Sequence, residues 1–327
     1  HVLNNNNIAL NWGQHGYSYT PPTGFGRLCT ADLAEPTAPK GDKYFDIITY
    51  TGNGTDNTDR TGLNFQPDWV WIKGRSAAKF QSLYDAVRGA GKVLYSSNAG
   101  NSEGVDTGLT AFLSDGFRNG TNQHANENGT TYVAWCWDAG TSTVTNSNGS
   151  ISSQVRANTT AGFSIVSYTG NGSNSQTVGH GLGVSPDMIL LKDRDNNSVS
   201  NRWTVFHSFD SSRNLELNSS SQSFTHQSQG SITAVSSSTF TLSGSSNANT
   251  VNESGDDYIA YVFNNVLGYS KFGKYVGNGS SDGRYVHTGF RPRYVMVKRS
   301  DSGNHWVIYD SARSTTNVID EYLRADT

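Results

Sequence analysis

The sequence predicts an all-β protein of tandem antiparallel β-sandwich modules, and three observations carry that prediction. The composition is poor in helix formers, one block of residues occurs three times, and the spacing between blocks is that of a whole sandwich domain. Ser, Thr, Asn and Gly are abundant while Leu, Glu, Lys and Ala are scarce, a mixture that disfavours helices and suits short strands joined by tight turns.

Charge and hydropathy exclude several classes. Hydrophobic residues make up 34% and charged residues 16% of the chain, but the net charge of −3 and an aromatic content of 11% separate it from disordered polypeptides, which combine low hydrophobicity with high net charge. A near-neutral balance gives no electrostatic footprint for nucleic acid or an anionic membrane. No segment approaches the roughly 20 apolar residues of a membrane span. Cys29 and Cys136 are too few for a disulfide framework and are read as buried small hydrophobes. The sequence opens without Met and without a basic region followed by an apolar run, so a longer polypeptide is the expected setting.

The repeat is legible at two landmarks. Tyr50, Tyr168 and Tyr275 lie 118 and 107 residues apart, and Pro67, Pro186 and Pro292 lie 119 and 106 apart. Each repeat opens with an apolar alternation ending in Tyr, then Gly52-Asn53-Gly54, Gly170-Asn171-Gly172 or Gly277-Asn278-Gly279. These read as structural turns, because Gly and Asn reach positive φ with least strain. A polar loop and a Pro follow, then the continuous apolar runs "WVWI", "MILL" and "YVMV", closed by Lys73, Lys192 and Lys298. Such runs fit central strands buried on both faces, with Val70, Ile72, Ile189, Leu191, Val295 and Val297 equivalently placed on the inner faces. The next strands are "LYDAVRG", "WTVFHSF" and "HWVIYDSAR". "YVAWCW" and "YIAYVF" close the first two repeats with aromatic and small residues at strand period. In the serine-rich tract of repeat two, "SITAVSSSTFTLSG" reads as a hairpin with a polar outer face.

Residues Asn11, Trp12, Gly13, Gln14, Tyr17, Tyr19, Pro21, Pro22, Gly24 and Phe25 resemble the closing strands of SPRY-type, concanavalin-like sandwich domains. The succession "YTGNG", "PDWVWIK", "YDAVRG", "SDGF" and "YVAWCW" resembles a module of virion proteins from marine tailed phages. The resemblance implies jelly-roll or concanavalin-like sandwiches, with residues 1–39 ending a SPRY-like unit, 40–161 and 162–269 forming two modules, and 270–327 part of a third. It further implies a non-enzymatic virion structural protein, in a tail fibre or another exterior appendage that presents loops for host attachment. A capsid-surface or decoration protein, a glycan-degrading tail spike and a cellular adhesin are the alternatives. Implied partners are other virion proteins, further copies of the chain and a host-surface glycan or receptor, without nucleic acid or membrane insertion.

No residue set reads as a catalytic centre. Asp85 and Asp310 occupy matching positions beside Arg88 and Arg313, but His207 stands there in repeat two, so they read as turn aspartates rather than a repeated catalytic acid. The histidines are dispersed without metal-ligand spacing, and "GNGSSDG" lacks the Lys of a phosphate loop. No cofactor is expected. Calcium is the one ion for which the loop Gly54–Asp59 offers oxygens, though its spacing departs from an EF-hand. Trp69, Trp71, Trp135 and Trp137 read as core residues before sugar platforms. The incomplete outer units, Ile8–Phe25 and Phe272–Arg313, are expected to order only against additional polypeptide.

Overall fold

The computed structural model describes residues 22–23, 39–97, 103–195, 202–225, 230–244 and 250–327. Contacts divide the chain into residues 1–38 and residues 39–327. The SPRY-like reading therefore falls almost wholly outside the described residues, as does Cys29.

Repeat one forms β1 (Phe45–Thr51), β2 (Thr58–Thr61), β3 (Trp69–Gly74), β4 (Ser82–Asp85), β5 (Lys92–Tyr95), β6 (Gly104–Val105), β7 (Ala111–Leu113), β8 (Gly116–Asn119) and β9 (Thr131–Trp137), with one short helix, α1 (Gln123–Asn126). The hairpin of β10 (Thr143–Asn146) and β11 (Ser153–Asn158) lies within residues 40–161, expected to form module one, but adds to the sheet of repeat two; repeat two itself forms β12 (Phe163–Thr169), β13 (Gln176–Gly179), β14 (Met188–Asp193), β15 (Trp203–His207), β16 (Arg213–Glu216), β17 (Phe224–Thr225), β18 (Ser231–Val235), β19 (Thr239–Ser243) and β20 (Asp257–Phe263). Repeat three supplies β21 (Tyr294–Val297), β22 (Val307–Asp310) and β23 (Leu323–Arg324). The architecture is all-β and antiparallel, as composition and turn chemistry require.

Strand order follows one rule in both full repeats. The first sheet runs β1-β9-β3-β4-β5-β6, and the second runs β10-β11-β12-β20-β14-β15-β16-β17. The last strand of each repeat returns to lie between its first strand and its apolar run, so β9 pairs antiparallel with β1 and β3, and β20 with β12 and β14. The tract "SITAVSSSTFTLSG" is the hairpin β18-β19, which with β13 makes a small covering sheet; β2-β8-β7 is its counterpart in repeat one.

Alternation sends the two faces of each main sheet to different places. Val70, Ile72, Tyr132 and Ala134 pack under the small sheet with Phe117 and Ala125, while Ile189, Leu191, Tyr258 and Ala260 do the same with Phe240 and Leu242. The opposite faces meet in one shared core. Trp69, Trp71 and Trp135 of repeat one, Leu190, Trp203 and Tyr261 of repeat two, and Trp306 and Ile308 of repeat three belong to a single buried cluster. Trp69 stacks on Tyr261 with ring centroids 4.3 Å apart, and Trp135 meets Tyr294 edge-on at 5.6 Å. The repeats are thus packed side by side, where a series of separate modules was expected.

Repeat three departs from expectation on two counts. "KFGKYVGNG" forms no strand and has no strand beside it among the described residues, whereas in repeats one and two the equivalent segment pairs with the returning last strand. Val295 is 39% exposed although its counterparts Val70 and Ile189 are at 0%, since no small sheet covers that face; Val297 is only partly buried. Within Phe272–Arg313, β21 and β22 pack on repeats one and two through the shared core.

Because one core serves all three repeats, Trp69→Ala is expected to cost about 3–5 kcal/mol. Hydrogen exchange should accelerate in β14 and β20 as well as in β3 and β9. Acceleration confined to repeat one would separate the repeats energetically.

Candidate functional site

The repeated Gly-Asn-Gly turns are halves of a clasp. The Asn53 amide donates to Oδ1 of Asn126 (3.1 Å), Nδ2 of Asn126 donates back to Oδ1 of Asn53 (3.1 Å), and the Gly54 amide donates to the Asn126 carbonyl (2.8 Å). Repeat two reproduces this between Asn171, Gly172 and Asn252 at 2.9, 3.0 and 3.0 Å. The tyrosines complete it, with the Tyr50 hydroxyl donating to the Ala125 carbonyl and the Tyr168 hydroxyl to the Val251 carbonyl. The two glycines of each turn have different duties. Gly54, Gly172 and Gly279 have φ of 68°, 72° and 70°. At Gly52 and Gly170 a Cβ would lie 2.2 and 2.1 Å from the carbonyl oxygens of Glu127 and Glu253, so the clasp itself excludes any side chain there.

The other half of the clasp, Asn126-Glu127-Asn128-Gly129 before Tyr132 and Asn252-Glu253-Ser254-Gly255 before Tyr258, is an Asn-Glu-x-Gly-x-x-Tyr repeat that sequence reading passed over. In repeat three Asn278 bonds only locally, to Ser280 and Asp282, and nothing lies within 4 Å of a Cβ built on Gly277.

Hydrogen bonds at equivalent positions join the repeats in a closed cycle. Nε1 of Trp203 in repeat two donates to the Tyr95 carbonyl of repeat one (3.0 Å). Nε1 of Trp306 in repeat three donates to the Glu216 carbonyl of repeat two (2.7 Å). Nε2 of Gln81 in repeat one donates to the Arg324 carbonyl of repeat three (2.5 Å). The three donors occupy one position of the repeat and the three acceptors another, as the registers of β4 with β5, β15 with β16 and β22 with β23 establish.

Asp85 and Asp310 belong to the same cycle. Each carboxylate accepts two backbone amides of the following turn and the Nε of Arg88 or Arg313, at 2.5 and 2.6 Å. Each also accepts one donor from the neighbouring repeat. The Tyr261 hydroxyl donates to Asp85 (2.8 Å), and Nε1 of Trp135 donates to Asp310 (3.1 Å). Their groups are all engaged in structure, as expected of turn aspartates. His207, the third member, has both ring nitrogens buried with no hydrogen-bond partner, and burial lowers its pKa.

The remaining candidates are also structural. Trp69, Trp71, Trp135 and Trp137 are buried, and so is Cys136, whose thiol pKa burial raises. In the Gly54–Asp59 loop, Asp59 pairs with Arg118 at 2.5 Å, and no cluster of metal-binding side chains occurs among the described residues. Lys73 and Lys192 close their apolar runs inside the protein, and burial lowers their pKa to about 8 and about 7.

Two measurements follow. Gly52→Ala should cost about 1–3 kcal/mol, because it forces the clasp open, while Gly277→Ala should stay within about 0.5 kcal/mol; equal losses in denaturant unfolding would remove the clasp as the reason for the first glycine. For the lysines, the unfolded state keeps its protons up to about pH 10.4, whereas the folded state loses them earlier. The unfolded state therefore binds more protons in between, and the contribution of these groups to stability rises with pH from about 7 to about 10. Lys73→Met should flatten part of that rise in unfolding midpoints measured across the window.

No curated protein and no solved structure matches this chain. A family model described as "Domain of unknown function (DUF7483)" matches residues 40–327, the stretch that holds all three repeats and the cycle joining them, and the chain belongs to that family.

Proposed function

We propose that the chain is a non-enzymatic structural protein of a phage virion, in a tail fibre or another exterior appendage, whose joined repeats hold polar loops outward for attachment to a host surface. The observation that carries this reading is a contrast within the repeat. The clasp has the same hydrogen bonds in repeats one and two, whereas the exposed residues that follow the Gly-Asn-Gly turn differ beyond their shared first hydroxyl: "TDN", "SNS" and "SSDGRYVH". A constant scaffold with divergent exposed loops is the arrangement expected of a surface that recognises rather than transforms. The recurring acids support it as well, since Asp85 and Asp310 are saturated by structural donors.

For the glycan-degrading alternative, an open groove lined by Arg75, Arg313, Asp320, Glu321 and Tyr322 offers two carboxylates, with Glu321 paired to Arg75 at 3.5 Å. Purified protein is expected to bind bacterial envelope preparations while releasing no oligosaccharide from them. Release that disappears in Asp320→Asn or Glu321→Gln would replace attachment by hydrolysis. Loss of envelope binding on exchanging the exposed residues 55–57 for Gly and Ser, which leaves β2 and the clasp in place, is the positive test.

A further inference from the structure

Repeat one carries an exposed aromatic surface that neither the shared core nor the clasp uses. Phe80 stands at the entrance of β4, Tyr95 ends β5, and His124 lies in α1. Their ring centroids are 5.3 Å (Phe80–Tyr95), 4.9 Å (Phe80–His124) and 5.7 Å (Tyr95–His124) apart, with interplanar angles from 33° to 72°. Phe80 is 41% exposed, and its ring neighbours among the described residues are the other two. The group is held in place from behind. Asp106 accepts the Tyr84 hydroxyl (2.9 Å), the Gly108 amide (2.9 Å), Nδ2 of Asn122 (3.0 Å) and the Tyr95 hydroxyl, and the Asn122 side chain accepts the His124 amide at 2.7 Å.

The chemistry of this surface is uncharged. Nδ1 of His124 accepts the Phe80 amide at 3.3 Å, so the neutral ring carries its proton on Nε2, for which the described residues supply no acceptor. Burial lowers the His124 pKa and favours that neutral form. Lys79 beside it is paired with Glu127 at 2.8 Å. The fold does not require these rings. Phe80 precedes Gln81 as Arg202 precedes Trp203, Tyr95 supplies the acceptor carbonyl that Glu216 supplies in repeat two, and His124 stands two residues before Asn126 as Thr250 does before Asn252. An ion pair, Arg202 with Glu216 at 3.0 Å, thus takes the place of Phe80 and Tyr95. Aromatic area left exposed where the same scaffold accepts an ion pair marks a contact surface.

We propose that Phe80, Tyr95 and His124 form a platform for one uncharged hexose ring of a host-surface polysaccharide, an inference that rests on the attachment reading and names its ligand. The C–H face of the sugar lies on Phe80 with Tyr95 alongside, and a sugar hydroxyl accepts from Nε2 of His124. Such a ring matches an apolar face edged by a single fixed donor. An anionic sugar would find the local cation already paired, and an aromatic side chain of a protein partner would leave the N–H without an acceptor.

The test titrates the purified full chain with methyl β-glucoside, methyl β-galactoside and methyl α-mannoside, each up to its solubility limit, with glucuronate and indole for comparison. Saturation-transfer NMR reads the binding. At least one methyl hexoside should bind saturably, with transfer strongest to the C–H protons of one sugar face. Phe80→Ser should weaken that binding about tenfold, Phe80→Tyr should retain it, and His124→Phe, which keeps a ring but no donor, should weaken it roughly fivefold. Unchanged unfolding midpoints would show that the variants are folded. The proposal fails if no methyl hexoside binds, if glucuronate or indole binds and the hexosides do not, or if Phe80→Ser binds as tightly as the parent chain. Envelope binding separates this site from the reading beneath it. Binding undiminished in Phe80→Ser strikes the platform and leaves attachment standing, whereas no binding by the parent chain strikes attachment, and the hexoside titration then decides the platform alone.

Discussion

The fold depends on one strand returning to the middle of its own sheet. β9 and β20 each pair on both sides, joining the first strand of the repeat, β1 or β12, to its apolar run, β3 or β14. That strand also carries Tyr132 or Tyr258, whose hydroxyls receive the Glu127 and Glu253 amides in the segment that clasps the Gly-Asn-Gly turn. On its other face it carries Trp135 or Tyr261, which donates to the neighbouring repeat's aspartate. Sheet closure, turn geometry and the bond between repeats therefore share a physical origin. Repeat three shows the consequence. Its tyrosine and both glycines are present, but among the described residues no strand returns beside them, and residues 271–278 form no regular structure.

The shared core explains why the central runs are apolar on both faces. A sandwich strand needs one apolar face, and Val70 and Ile72 provide it beneath the small sheet. Trp69 and Trp71 face the other repeats instead, and their indoles bring large area with little rotamer entropy. Bringing aspartates into such a core is costly unless every oxygen is occupied, and Asp85 and Asp310 meet that condition with two amides, one arginine and one neighbouring donor each. The bond from each arginine Nε to its aspartate is local, and coupling to the next repeat comes from the neighbouring donor, joined at Asp85 by the Arg88 guanidinium, which donates to the same Tyr261 hydroxyl (3.2 Å).

Much of this was legible in the sequence, within a physical limit. Period-two alternation and Gly-Asn-Gly identify strands and turns because those are local properties, and the serine-rich hairpin of repeat two was visible through Ile232, Val235, Phe240 and Leu242. The continuous run "WVWI" announces burial on both faces but does not say what covers the second, so side-by-side packing was not readable. The partner of the turn could have been found. Asn126-Glu127 and Asn252-Glu253 stand at equal distance before Tyr132 and Tyr258, and two copies of a motif with Gly at the same offset signal a backbone requirement. The exposure of Val295 was hidden for the opposite reason, since its own run matches the other two and only the missing cover distinguishes it.

A cycle of three equivalent contacts is what a threefold assembly of identical subunits would make, because each subunit donates one surface and accepts the other. Placing the repeats in one chain removes the requirement that the three contacts be identical. The divergence is visible at the same position in each. Trp203 and Trp306 use an indole to reach the neighbouring carbonyl, and Gln81 uses an amide that is itself held by the Trp71 indole at 3.2 Å. The acidic position has diverged further, with carboxylates at Asp85 and Asp310 and an imidazole at His207. A carboxylate at His207 would be buried without the arginine three residues on, because Asp210 stands where Arg88 and Arg313 do. A neutral imidazole carries no charge to desolvate, and it offers one acceptor and one donor to whatever strand lies across from it. The position that lacks a neighbouring donor is thus also the one whose side chain tolerates burial at the lowest electrostatic cost.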